Sequence, residues 1–246
     1  DIAPASSHAL HMPSHIFREL GMWEEMAASN EEAYRASVDW QQRTDRPLGA
    51  RDFHAFEWLH IAYVNLGRYE DGRELIDRLE GLEAEAEEAG QSARPISGVR
   101  IRLEERQLQA ERWAGLDTEP APVRDEDLRI PGDRLPDLLV LGALGYQAAV
   151  AGQAEMVERI QARMQEFEGN PGLAAFPGWL PAALHWLEAH RLRAAGQGQR
   201  ALAEAEEAVR ILEEKGAGTM LTQGFRRLCA TLLLEQRALE DVHQFV

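Results

Sequence analysis

Three histidines stand within one short stretch near the N-terminus, His8-Ala9-Leu10-His11-Met12-Pro13-Ser14-His15. A helix advances about 100° per residue, so His8, His11 and His15 would fall within about 60° of one another on one face. Imidazoles gathered in this way are ligands for Zn²⁺ or another divalent transition metal, because a neutral imidazole nitrogen approaches such a cation to about 2.0–2.1 Å. Pro13 complicates the single face. It lacks a backbone N–H and its ring clashes with the carbonyl of Ala9, so the helix kinks or begins there.

The segments that must position these rings are helical. Helix formers and helical periodicity dominate the chain and alternating β-branched runs are absent, which predicts an all-α fold. One punctuation mark recurs: Leu20-Gly21-Met22-Trp23, Leu66-Gly67-Arg68-Tyr69 and Ala110-Glu111-Arg112-Trp113, with weaker copies at Gly152 and Gly196. Each reads as a tight turn between antiparallel helices, spaced roughly 45 residues apart, which predicts a helical-hairpin repeat. Residues 1–115 are expected to form the first hairpins. Residues 116–135, rich in proline and acids, are expected to form a dividing loop, and 136–246 the second set of hairpins.

The repeat supplies a register. His8, His11 and His15 lie 13, 10 and 6 residues before Gly21, and the same steps back from Gly67 reach His54, Glu57 and Ile61. Equivalent positions of neighbouring hairpins sit side by side, with helix axes about 8–10 Å apart. His54 and Glu57 are therefore expected to face the histidine row, and a third turn at Glu111 places Glu105 at the position of His15. The expected metal ligands are His8, His11, His15, His54 and Glu57, with Glu105 and Arg18 beside them. The remaining histidines read differently: His60 falls at a packing position, and His185 and His190 are too far apart around a helix to share a ligand.

The turn glycine and following aromatic, Gly21/Trp23 and Gly67/Tyr69, resemble those of the tetratricopeptide repeat family, although that family's usual period is nearer ~34 residues. The resemblance implies an α-solenoid in which the first helix of each hairpin lines a concave groove, with the histidines and Glu57 looking into it and Leu10, Phe17 and Phe56 packing away from it. The segment from His8 through Phe17, with Leu20-Gly21-Met22-Trp23 and Arg51-Asp52-Phe53-His54-Ala55-Phe56-Glu57-Trp58 downstream, is similar to a group of bacterial tetratricopeptide-containing proteins. Members of that group carry a further His-containing helix upstream, a portion expected to be missing from this chain. The resemblance brings an architecture and no activity.

Composition narrows the function. With 42 acidic against 26 basic residues and a net charge of −16, no stretch collects Lys and Arg without interleaved acids, so a nucleic-acid partner is not expected. The single cysteine, Cys229, excludes an intrachain disulfide. The most apolar run, Leu138 to Ala151, is broken by Gly142, Gly145 and Gln147 and falls short of the ~20 residues a membrane span needs. The chain opens on Asp1 with neither an initiating Met nor a signal peptide, which leaves localisation unread. No Ser/His/Asp order, phosphate loop or dinucleotide glycine pattern is present, and no catalytic residue is assigned. Two readings follow. In the first the protein is a helical-repeat scaffold that binds a peptide or protein partner in its groove, the histidines serving as polar contacts or as a metal site. In the second it is a metal-dependent hydrolase, with Glu57 or Glu105 as general base on a cation-bound water.

Overall fold

The computed structural model describes residues 6–130, 135–173, 176, 178–216 and 225–235. All regular structure among them is helical and no strand occurs. The chain divides into two compact units, Asp1–Thr118 and Glu119–Val246, and the division falls within the proline-rich stretch.

The first unit contains α1 (Ser7–His11), α2 (Ser14–Leu20), α3 (Trp23–Arg43), α4 (Phe53–Asn65), α5 (Tyr69–Glu88) and α6 (Arg94–Trp113). Its core is centred on α4, which buries Phe53, Phe56, Trp58, Leu59, Ala62 and Tyr63 against Met26 and Tyr34 of α3, Leu75 and Leu79 of α5, and Val99 and Leu103 of α6. The second unit contains α7 (Leu135–Val150), α8 (Ala154–Gln165), α9 (Trp179–Ala194), α10 (Gly198–Glu214) and the helical residues 225–235. Ala201, Ala205 and Ala208, spaced to share one face of α10, are all almost fully buried. They let α10 lie close against α9. Residues 217–224 and His243 lie outside the described residues.

The turns share one mechanism. At Gly21, Gly67, Gly115, Gly152 and Gly196 the backbone enters the left-handed region, with φ between +68° and +78°. The residue after each glycine then returns its N–H to the carbonyl five positions back, as in Met22 to Phe17 at 2.8 Å and Arg68 to Tyr63 at 2.9 Å. This satisfies the carbonyls that a helix end leaves open, at a conformation only glycine adopts cheaply.

The third turn corrects the sequence reading. Helix α6 runs through Glu111 to Trp113 and turns at Gly115, where Leu116 N–H reaches the Glu111 carbonyl at 2.9 Å. Glu111 continues the helix because its carboxylate, 1 % exposed, is held by Arg73 Nη2 at 2.7 Å, Gln107 Nε2 at 2.5 Å and Thr118 Oγ1 at 2.7 Å. Trp113 therefore precedes the turn and ends the helix exposed.

The two glycines of α7 behave differently. A Cβ on Gly145 would lie 2.7 Å from Leu187 Cδ1 and 3.3 Å from Ile160 Cγ2, whereas one on Gly142 would meet nothing within 4 Å. Gly145→Leu is expected to destabilise the protein by roughly 1–3 kcal/mol through overpacking, and Gly142→Ala to stabilise it by up to about 1 kcal/mol through helix propensity. Urea denaturation of the two variants would show opposite shifts; shifts of the same sign would contradict the packing described.

Candidate metal centre

The break expected at Pro13 is real and it shapes the site. Helix α1 ends at His11 and α2 begins at Ser14, with Pro13 as N-cap. The carbonyl of Leu10, which a continuous helix would satisfy internally, accepts instead from Ser29 Oγ of α3 at 2.6 Å. Ser14, fully buried, donates to Ser29 Oγ at 3.2 Å. Side chains of α3 thus replace the hydrogen bonding lost at the proline and hold the two short helices against it.

The same anchor orients His11. Asn30 of α3 is fully buried, and its Nδ2 donates to Ser14 Oγ at 2.8 Å and to the Met26 carbonyl at 2.7 Å. With both amide protons engaged, Asn30 Oδ1 accepts from His11 Nδ1 at 2.8 Å. His11 therefore carries its proton on Nδ1 and presents a lone pair at Nε2, which lies 3.3 Å from His15 Nε2. A second anchor positions α4. Asp52 caps that helix by accepting from Ala55 N–H at 3.0 Å, and its other carboxylate oxygen accepts from Ser7 Oγ of α1. This pins the start of α4 to α1 and brings His54 against His11, ring centroids 4.6 Å apart.

His11, His15 and His54 thus form one group whose ligand nitrogens all lie within 4.8 Å of one another, a group that could hold a metal ion. Its floor is Trp58, one helical turn beyond His54, whose ring centroid stands 5.0, 4.5 and 5.6 Å from those of His11, His15 and His54. The group is graded from the buried His11 through the partly buried His15 to the exposed His54, so it opens to solvent on the His54 side. The pKa of His11 is lowered, chiefly by burial and further by His54, against the opposing hydrogen bond that it donates to Asn30. That of His15 is lowered by burial, then by His11 and Arg18. Both shifts favour the neutral ring, the form that can ligate.

The other expected site residues lie elsewhere. His8, at the start of α1, is exposed and stands outside the three-nitrogen group. Glu57 faces α6 and forms an ion pair with Arg102, so its carboxylate is engaged away from the imidazoles. Glu105 accepts from Gln109 within α6; burial pushes its carboxyl up to about 7, against the pull of Arg106 and Arg102. Counted from the true turn at Gly115, Glu105 aligns with His11 and Glu57 rather than with His15. Arg18, one turn past His15, holds its Cζ 5.3 Å from the centroid of the Trp58 ring.

The sequence reading did not single out Asn30, Trp58, Ser14 or Asp52. Asp52 was accessible as an N-cap directly before an apolar helical run. Asn30 carries no local signal, because its role exists only once α3 packs on α1. Of the remaining histidines, His60 is fully buried and hydrogen-bonded to Gln107, and His185 Nδ1 meets Glu204 Oε2 at 2.6 Å. His190 is packed between Tyr146 and Trp186.

Comparison of the chain with protein-family models, with curated proteins and with solved structures finds no match in any of the three.

Proposed function

We propose that this protein is a tetratricopeptide-like helical-repeat binding module built around a transition-metal centre, in which His11, His15 and His54 hold Zn²⁺ or a similar borderline divalent cation. The remaining coordination position and the adjoining surface of α2, α4 and α6 then receive a group from a peptide or protein partner. The observation that carries the reading is the buried Asn30, which fixes His11 in the tautomer that points Nε2 at His15. Hydrogen-bonded outer partners of this kind orient metal-ligating imidazoles. The 3.3 Å between the two Nε2 atoms agrees with the ligand–ligand edge of about 3.3–3.4 Å that tetrahedral Zn–N bonds of about 2.0–2.1 Å require. The glycine turns with their common left-handed geometry support the repeat architecture.

Three protein ligands leave a fourth position open, as a site needs in order to bind an exchangeable group. A hydrolytic role would further need a carboxylate free to take a proton beside the cation, and Glu57 and Glu105 are engaged with Arg102 and Gln109. The binding role is preferred for that reason.

Calorimetric titration of metal-depleted protein at neutral pH, with elemental analysis of the product, tests the reading; one Zn²⁺ per chain is expected. Asn30→Ala should weaken binding by about 10- to 100-fold, since it releases the His11 ring while leaving all three ligands in place. Absence of stoichiometric binding by the wild-type protein would overturn it.

A further inference from the structure

Beside the histidines, three arginines lie within electrostatic reach of one another, Arg106 sensing both Arg18 and Arg102, in a chain whose net charge is −16. Arg18 comes from α2, and Arg102 and Arg106 from α6. Arg102 is neutralised by Glu57 through Nη2, yet its Nε is buried with no hydrogen-bond partner. Arg106 makes no ion pair among the described residues, and its Nη1 is likewise buried and unpartnered, while the side chain as a whole remains partly exposed. Arg106 experiences Arg102 and Arg18 as like charges and Glu57 and Glu105 as opposite ones. Of those two carboxylates, Glu57 already belongs to Arg102, and Glu105 accepts from Gln109. Among the described residues Arg18 has no carboxylate partner either; its guanidinium rests on Trp58, the residue that also touches all three histidine rings.

Buried guanidinium groups are costly without counter-charge, and an unpartnered donor on one marks a missing acceptor. Arginine is also the side chain whose planar fork best matches a carboxylate or a phosphate. We infer that Arg18 and Arg106 form an oxyanion subsite next to the histidine centre, which takes the carboxylate or phosphate group of the bound ligand. The inference deepens the proposed binding function by naming the chemistry of the group received. It depends on the arginines and not on whether a cation binds.

The subsite is tested with the whole chain in the presence of EDTA, by titrating inorganic phosphate or acetate at ionic strength held constant with chloride. The readouts are intrinsic tryptophan fluorescence, to which Trp58 contributes, and calorimetry. Saturable binding of at least one of the two anions is expected. Preference for phosphate assigns a phosphoryl ligand, and preference for acetate a carboxylate. Arg106→Gln and Arg18→Gln should each weaken binding by about tenfold, the loss of one charge-assisted contact. Arg210→Gln, on the surface of α10, should change nothing. His54→Ala should keep anion binding while losing Zn²⁺, which separates failure of the subsite from failure of the metal reading. Should Arg106→Gln fold poorly, Arg18→Gln carries the test, because Arg18 is partly exposed and rests on the Trp58 ring. No saturable response to either anion, or equal affinity in wild type and Arg18→Gln, would overturn the inference.

Discussion

Replacing His54 with alanine is expected to lower Zn²⁺ affinity by at least about a hundredfold, more than loss of an outer partner costs, while helical content stays near that of wild type. His54 is the one candidate ligand that α4 contributes and it is exposed, so its removal opens no cavity in the core. His15→Ala combined with His54→Ala should abolish measurable binding, since His11 would remain alone. His11→Ala is a less clean variant because it strands the buried Asn30 Oδ1 and adds a folding cost to the loss of a ligand. Binding should also weaken as pH falls, because protonated imidazole cannot ligate. The lowered pKa values of His11 and His15 push that loss below the ordinary histidine range near 6.5. Calorimetry and far-UV circular dichroism on the same samples decide the matter, and equal Zn²⁺ affinity in wild type and His54→Ala would remove the site.

Acid is expected to destabilise the second unit through one residue. His190 is buried between Tyr146 and Trp186, and burial, with Arg193 adding to it, pulls its pKa down to about 3. The unfolded chain, titrating near about 6.5, binds the proton first. Stability is therefore complete above about 6.5 and declines as pH falls toward 3, by up to about 1.4 kcal/mol per pH unit, or roughly 3 kcal/mol by pH 4. Urea denaturation of wild type and His190→Leu at pH 7 and pH 4 checks this. The variant should lose less stability between the two pH values, and an unchanged difference would show that His190 is not the sensitive group.

His60 in the first unit has the same liability for a legible reason. The Gln107 amide donates to the Tyr69 carbonyl and to Glu111, so its Oε1 accepts from His60 Nε2 at 3.0 Å, and Nδ1 is left buried without a partner. Burial, with the charge of Arg106 adding to it, pulls the pKa down to about 3 against the hydrogen bond to Gln107, and a second proton would have no acceptor. Glu105 acts in the opposite direction. Its carboxyl, raised to about 7, favours the folded state as pH drops from about 7 toward 4.5, which offsets part of the loss in that unit.

Much of the helical architecture was written locally. Helix periodicity, the glycine turns at Gly21, Gly67, Gly152 and Gly196, the small-residue face of α10 and the interruption at Pro13 are all properties of residues near one another in sequence. Glu111 shows where local reading fails. Nothing nearby reveals that its carboxylate is bound by Arg73 from a different helix, so a helix that continues looked like one that turns. The site was legible in the same partial way. Counting from the turns joined His54 to His11 and His15, but it also enlisted His8 and Glu57, because a register ranks positions along a helix and does not say which competing partner a side chain will meet. Glu57 found Arg102.

The sequence by itself therefore determined which segments are helices, where most of them end, and that imidazoles from two hairpins lie within reach of each other. Those outcomes depend on backbone propensity, glycine geometry and helical period, which act over a few residues. Only the tertiary structure decided which nitrogens converge, which tautomer His11 adopts and which arginines lack a carboxylate among the described residues. Each of these depends on hydrogen bonds and ion pairs between residues distant in sequence, formed where burial makes an unpaired polar group costly, and the packing of α3 and α6 on α1, α2 and α4 selects the partner.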